Sequence, residues 1–143
     1  MAGKSDVFEN DLLKLIFNAT AIANMADNAA TSPLTQLWVS LHTADPTDAG
    51  TQTSNEATYT SYARVGVNRN SGGWTVTGNS VSPTVAITFP AATGGTSTIT
   101  HFAVGTASSG AGKVLYAGTC TPSITITNGI TPQITTASTI TED

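Results

Sequence analysis

Two histidines, one cysteine and a few loop acids are the residues of this 143-residue chain whose types could do chemistry. His42 stands two positions after Ser40 and three before Asp45, and His101 lies farther along. A nucleophile (Ser40 or Cys120), an imidazole base and an orienting carboxylate such as Asp45 would make an acyl-transfer constellation. No nucleophile-elbow or protease-like context surrounds them, and Ser and Thr are abundant enough that chance pairings are expected. The expectation is a hydrogen-bonded structural histidine at each position and no enzyme. Cys120 is the single cysteine, which excludes an intrachain disulfide; in an apolar-alternating segment it reads as a buried, inert thiol.

Asp45, Asp48 and Glu56 share one long loop, and oxygen-rich loops can hold calcium. Their spacing lacks the alternating acids and central Gly of an EF-hand loop, so turn-forming and solubilising acids are expected and no metal or cofactor is assigned. Trp38, Trp74, Tyr59, Tyr62 and Tyr116 could line a sugar-binding face. Aromatics make up only 6% of the chain, however, and at strand spacing they read first as core or interface. Arg64 and Arg69 could donate inter-subunit ion pairs, and Arg64, beside Tyr62, is the stronger candidate.

The elements that must position these residues begin with Leu37 to Pro46. Leu37, Val39 and Leu41 alternate with Trp38, Ser40 and His42, the period-2 pattern of a strand with two different faces. Asp45-Pro46 stops it, because Pro has no N–H for a ladder. A polar loop follows over 45–61, long enough to be functional or mobile. Residues 62–70 alternate again, Ala63, Val65 and Val67 on one side and Tyr62, Arg64 and Asn68 on the other. Upstream, residues 6–19 predict a helix. Phe8, Leu12, Leu15, Ile16 and Ala19 draw an apolar stripe that Leu13 and Phe17 widen, while Glu9, Asn10, Lys14 and Asn18 mark the wet side. Asp6 with Glu9 resembles a capping box. Residues 20–33 read as a fraying continuation and a connector.

Downstream the chain is a succession of short strands separated by turn chemistry. Trp74 to Thr77 precedes a Gly78-Asn79-Ser80 turn. Val85, Ile87 and Phe89 alternate with Thr84, Ala86 and Thr88 as far as Pro90. Ile99 to Val104, Lys113 to Thr119 and a strand opened by Pro122 come next. Asn128-Gly129 predicts a hairpin into Ile130 to Ile134. About eight short strands at near-regular spacing predict an all-β, β-sandwich or jelly-roll-like fold with a short N-terminal amphipathic helix. The chain reads as a single domain over 1–143: helix at 6–19, sandwich at 34–135, tail at 136–143.

Composition narrows the partners. The chain is 39% hydrophobic but only 10% charged, with net charge −4. About a fifth of it is Thr, which suits pleated, half-exposed surfaces. Lys4, Lys14, Arg64, Arg69 and Lys113 are spread singly, so the clustered cations that replace phosphate counterions are missing and nucleic acid is not expected. No stretch approaches the ~20 apolar residues of a membrane span. The N-terminus lacks a secretory h-region, so export by the general pathway is not indicated.

Several blocks in order carry a family resemblance: the helix Asp6-Val7-Phe8-Glu9-Asn10, the strand Leu37-Trp38-Val39-Ser40-Leu41-His42-Thr43-Ala44-Asp45-Pro46, and Tyr62-Ala63-Arg64. Gly72-Gly73-Trp74, Val85-Ala86-Ile87-Thr88-Phe89-Pro90, His101 to Gly105 and Val114 to Gly118 follow. This order, over about residues 6–135, resembles small tailed-bacteriophage virion structural proteins and, among them, capsid cement (decoration) proteins. The resemblance implies a non-enzymatic cement protein on the outer surface of the capsid, assembled in the host cytoplasm. It would bridge major capsid protein subunits and form a homodimer or homotrimer. A tail, neck or fibre-base structural protein is the alternative, followed by a carbohydrate-binding jelly-roll module for host attachment. Phe8, Leu12, Leu15 and Ile16 on the helix, with Trp38, Tyr62 and Arg64, are the candidate interface residues.

Overall fold

The computed structural model describes residues 6–22 and 33–142. Most of the predicted 20–33 connector, and the Asp6 side chain on which the predicted cap depends, lie outside the described residues. In chain order the elements are α1 (Asp6–Asn18), β1 (Gln36–His42), β2 (Val65–Asn68), β3 (Trp74–Thr77), β4 (Ser80–Pro83), β5 (Ile87–Thr88), β6 (Ser97–Gly105), β7 (Val114–Ile126), β8 (Gln133–Ile134) and β9 (Ile140–Thr141). The fold is all-β with one short helix near the N-terminus. Its residues group into two compact units, Met1–Gln36 with Val67–Ala86 and Thr135–Asp143, and Leu37–Gly66 with Ile87–Ile134.

In the first unit β3 and β4 form a hairpin through Gly78, whose φ of 61° suits a residue without Cβ, and β9 pairs beside β4 (Val81 opposite Ile140). Helix α1 packs on β3 and β4. Leu13 and Phe17 are fully buried, and the Phe17 ring meets Trp74 edge-on at 4.8 Å. The buried line therefore runs through Glu9, Leu13 and Phe17, one turn apart each. Leu12, Leu15 and Ile16 are half-buried on its flanks. This rotates the face expected from sequence: Leu13 and Phe17 are its centre, and Glu9, expected on the wet side, is only 5% exposed. Trp74 explains the rotation, since the largest buried side chain in the protein sits under Phe17.

The helix ends at Ala19, which takes φ 54°, and has no basic residue of its own in its last turn. Arg69 supplies the missing charge. Its Nε and Nη2 donate to the carbonyls of Ile16 and Leu15 in the last turn, at the negative end of the helix dipole. Its Nη1 reaches the Leu34 carbonyl at 3.4 Å.

In the second unit the sheet order is β2-β1-β6-β7. β1 and β6 run antiparallel with Val39 opposite Val104 and His42 opposite His101. β6 and β7 pair from Ser97 opposite Ile126 to Gly105 opposite Val114. The two strands expected at Lys113 to Thr119 and after Pro122 are one strand. Its register jumps from Thr119 to Ile124 while β6 advances from His101 to Ile99, so Cys120 to Ser123 bulge out of the ladder. Leu37, Val39 and Leu41 of β1 join Ile99, Ala103, Val104 and Ile126 in the core.

Two local expectations change here. Residues 128–129 do turn, but the next strand, β8, pairs with β5 and not with β7. Gly129 N–H bonds the Ala92 carbonyl and Phe89 N–H bonds the Pro132 carbonyl, which draws the chain toward β5. The predicted 62–70 strand shortens to β2, with Ala63 exposed and Arg64 buried, the reverse of its apolar pattern. In the first unit Val85, which the alternation groups with Ile87 and Phe89, is 67% exposed, whereas those two are buried.

Candidate functional site

The loop over 45–61 carries the features that sequence singled out, and it is ordered by hydrogen bonds. Residues 55–57 pair with the end of β1: Thr43 N–H donates to Asn55 O and Ala57 N–H to Leu41 O, both at 2.8 Å. Gln52, fully buried, donates from Nε2 to the Trp38 carbonyl at 3.1 Å and accepts the Ala107 N–H on Oε1 at 3.0 Å. Its own N–H bonds the Gly112 carbonyl at 2.9 Å. A Cβ on Gly105 would lie 2.2 Å from Gln52 Cδ, and one on Gly112 would lie 2.2 Å from Oε1. Two glycines are thus the slot for one amide. Sequence reading passed over Gln52 because a lone polar residue in a polar loop carries no periodic signal.

A second tether runs through Tyr62, Glu56 and Arg64. Tyr62 Oη accepts the Leu41 N–H at 3.1 Å and donates to Glu56 Oε1 at 2.9 Å. Burial, more than any other cause, holds its phenol far above the usual value. Arg64 grips the same carboxylate with a fork, Nε to Oε1 at 2.6 Å and Nη2 to Oε2 at 2.8 Å. Its remaining reach goes to the Ala107 carbonyl (Nη1, 2.9 Å) and the Gly110 carbonyl (Nη2, 2.8 Å). The hydrogen bond that Arg64 donates to Glu56 raises the pKa of the guanidinium further above its ordinary value. Arg64, considered from sequence as an inter-subunit donor, commits its donors within its own unit.

Ser40 and His42 are brought together. Their Oγ and Nε2 lie 2.9 Å apart, and His42 Nδ1 lies 2.8 Å from the Ser54 carbonyl. That carbonyl can only accept, so Nδ1 carries the proton and the Ser40 hydroxyl donates to Nε2. Both side chains are fully buried, and a backbone carbonyl stands where an orienting carboxylate would be needed. Burial lowers the His42 pKa and keeps the ring neutral. Asp45 is elsewhere occupied, its Oδ1 accepting the Thr47 N–H at 2.8 Å. His101 Nδ1 meets the Thr100 hydroxyl at 2.9 Å. Cys120 is half-buried, and burial pushes its thiol pKa up.

Glu56 turns to Arg64, and among the described residues no three acids, His or Cys converge as a metal site. Nor do all five aromatics considered as a sugar face lie at the surface. Trp74 and Tyr59 are buried, and Tyr59 packs edge-on to Tyr62 at 5.3 Å, with Phe89 stacked beyond. Of the candidate interface residues, Phe8 lies on α1, Leu12, Leu15 and Ile16 are half-buried on the same helix, and Trp38 is half-buried on β1. Tyr62 and Arg64 are the two that the structure joins, through Glu56.

One surface feature borders this loop. A cleft of about 330 Å³ is lined by Asp45, Thr47 and Asp48 on the loop side and by Val114, Leu115, Tyr116 and Ala117 of β7.

Among curated proteins none matches the chain. A family model described as Podophage GP4 fiber I protein gp80 matches residues 3–141. With nearly the whole chain covered, the protein belongs to the Podophage GP4 fiber I protein gp80 family and is a structural protein of a phage virion.

Proposed function

We infer that the chain is a non-enzymatic structural component of a phage fibre or of the base from which a fibre springs. The observation that carries this reading is the family match, which spans both compact units and is to a fibre protein. The order of the two readings drawn from sequence is thereby reversed: fibre or tail comes first, and capsid cement on the outer shell, with the major capsid protein as partner, comes second. The buried Ser40–His42 pair supports a role without turnover, because no substrate reaches a side chain sealed from solvent. A rigid scaffold suits such a role, and the two tethers of the 45–61 loop stiffen the part that a mobile loop would weaken. A homodimer or homotrimer is the expected assembly, since closed symmetric contacts are the usual solution.

Quantitative densitometry of purified virions tests the reading. A fibre component is present in a few dozen copies or fewer per particle. Hundreds of copies, together with weaker heat resistance of particles lacking the chain, would return the cement reading to first place.

A further inference from the structure

Three residues of the 45–61 loop, Thr53, Ser54 and Asn55, lie between two firm anchors. On one side Gln52 is fully buried, and on the other Glu56 is gripped by the Arg64 fork. Apart from bonds to Thr51 within the same turn, the stretch between them is held by the end of β1. Thr43 N–H and the Thr43 hydroxyl both donate to Asn55 O, at 2.8 and 3.2 Å, and His42 Nδ1–H donates to Ser54 O. Asn55 takes φ 55°, and its Nδ2 bonds the Asp45 carbonyl at 3.0 Å, so these residues also pin the start of the loop. Toward β6, His42 ends a continuous ladder that begins at Trp38. Toward the loop it makes one isolated bridge, opposite Glu56. The cover over His42 is therefore weakest at residues 53–55.

We propose that residues 53–55 form an acid-opened flap whose trigger is His42. The neutral ring is satisfied beneath it, donating through Nδ1 and accepting the Ser40 hydroxyl at Nε2. A proton on Nε2 turns that acceptor into a donor. Ser40 Oγ can take the new N–H only by turning its own proton to the Ala103 carbonyl, 3.5 Å away, at the outer limit of a hydrogen bond. The charge fares no better. The ring is fully buried, and the carboxylate that acts on it, Glu56, is already shared by Arg64 and Tyr62. Arg64 beside that carboxylate and His101 across on β6 both oppose a positive ring. The Ser54 carbonyl favours one, but burial outweighs that bond. Lifting the flap lets water reach the imidazolium. It disrupts no apolar core, because Thr53 and Asn55 are exposed and Ser54 is half-buried. Every group involved belongs to the second unit, so the device is local to it.

Amide hydrogen exchange on the intact chain tests the flap, with protection factors compared so that the intrinsic pH dependence of exchange cancels. The open flap takes the proton at the ordinary value of 6.5 and the closed one only below it, so opening grows as the pH falls. Protection of the Thr43 amide is expected to fall below pH 6.5, by at most about tenfold per pH unit, the limit for one linked proton. The Gln52 and Ala57 amides, bonded to Gly112 O and Leu41 O at the anchors, are expected to keep theirs. In His42→Gln the Thr43 protection is expected to stay level with pH. Imidazole nitrogen NMR of the unsubstituted protein gives a readout that needs no variant. His42 is expected to carry its proton at Nδ1 alone at neutral pH, and to gain the second over the range in which Thr43 loses protection. Level protection at Thr43, a loss shared equally by Gln52 and Ala57, a loss that persists in His42→Gln, or a ring that titrates with no change at Thr43 would overturn the flap.

Discussion

Glu56 and Arg64 are eight residues apart in sequence and share two parallel hydrogen bonds, at 2.6 and 2.8 Å, with the Arg64 side chain 2% exposed. Tyr62 shares the same carboxylate oxygen, so loop, β1 and the β6–β7 connection meet at one carboxyl group. The pair sits at the centre of the loop's order.

Removing one partner leaves the other buried and unpaired. Glu56→Ala is expected to destabilise the fold by about 3–5 kcal/mol. Arg64→Lys keeps the charge but cannot form the fork, and is expected to recover only part of that loss. Urea denaturation of both variants checks the order.

The slot for Gln52 makes a coupled prediction. Gly105→Ala drives a methyl into the Gln52 amide and is expected to cost about 1–3 kcal/mol. Gln52→Ala removes the obstruction, so in the double variant the two losses are expected to add to less than their sum. Strict additivity in a double-mutant cycle would refute the slot.

His42 predicts a pH dependence. Its ordinary pKa is 6.5 and burial lowers it in the folded protein, so the unfolded chain binds the proton more readily. The stability contributed by the neutral ring is complete above pH 6.5 and is lost as the pH falls from there toward the lowered folded value. Denaturation midpoints measured across that window are expected to fall with pH, and His42→Gln is expected to flatten that part of the slope.

Arg69 is the long-range cap of α1. Arg69→Ala is expected to cost about 1–2 kcal/mol and to reduce the helical circular dichroism signal, since two carbonyls of the last turn lose the guanidinium that balances their negative charge. At the neighbouring helix end Ala19→Gly is expected to stabilise by roughly 1 kcal/mol, because the φ of 54° costs an alanine and not a glycine.

By itself the sequence determined the class of fold and the type of most elements. The helix, the alternating β1, the Gly78 hairpin and the buried Ile87 and Phe89 are all legible, because they follow from periods of 3.6 and 2 and from turn chemistry, which are local. Pairing is not local. That β8 joins β5 despite a strong turn at Asn128-Gly129 depends on where Ala92 and Phe89 stand in space. The same holds for the helix face, which Trp74 sets from more than fifty residues away, and for the inward turn of Arg64, which only Glu56 makes tolerable. Tertiary structure also decided what the loop acids do. Asp45, Asp48 and Glu56 read alike in sequence, yet one is committed to a buried guanidinium and two line a cleft beside β7. A charged side chain takes its role from the groups that surround it, and those arrive from distant parts of the chain.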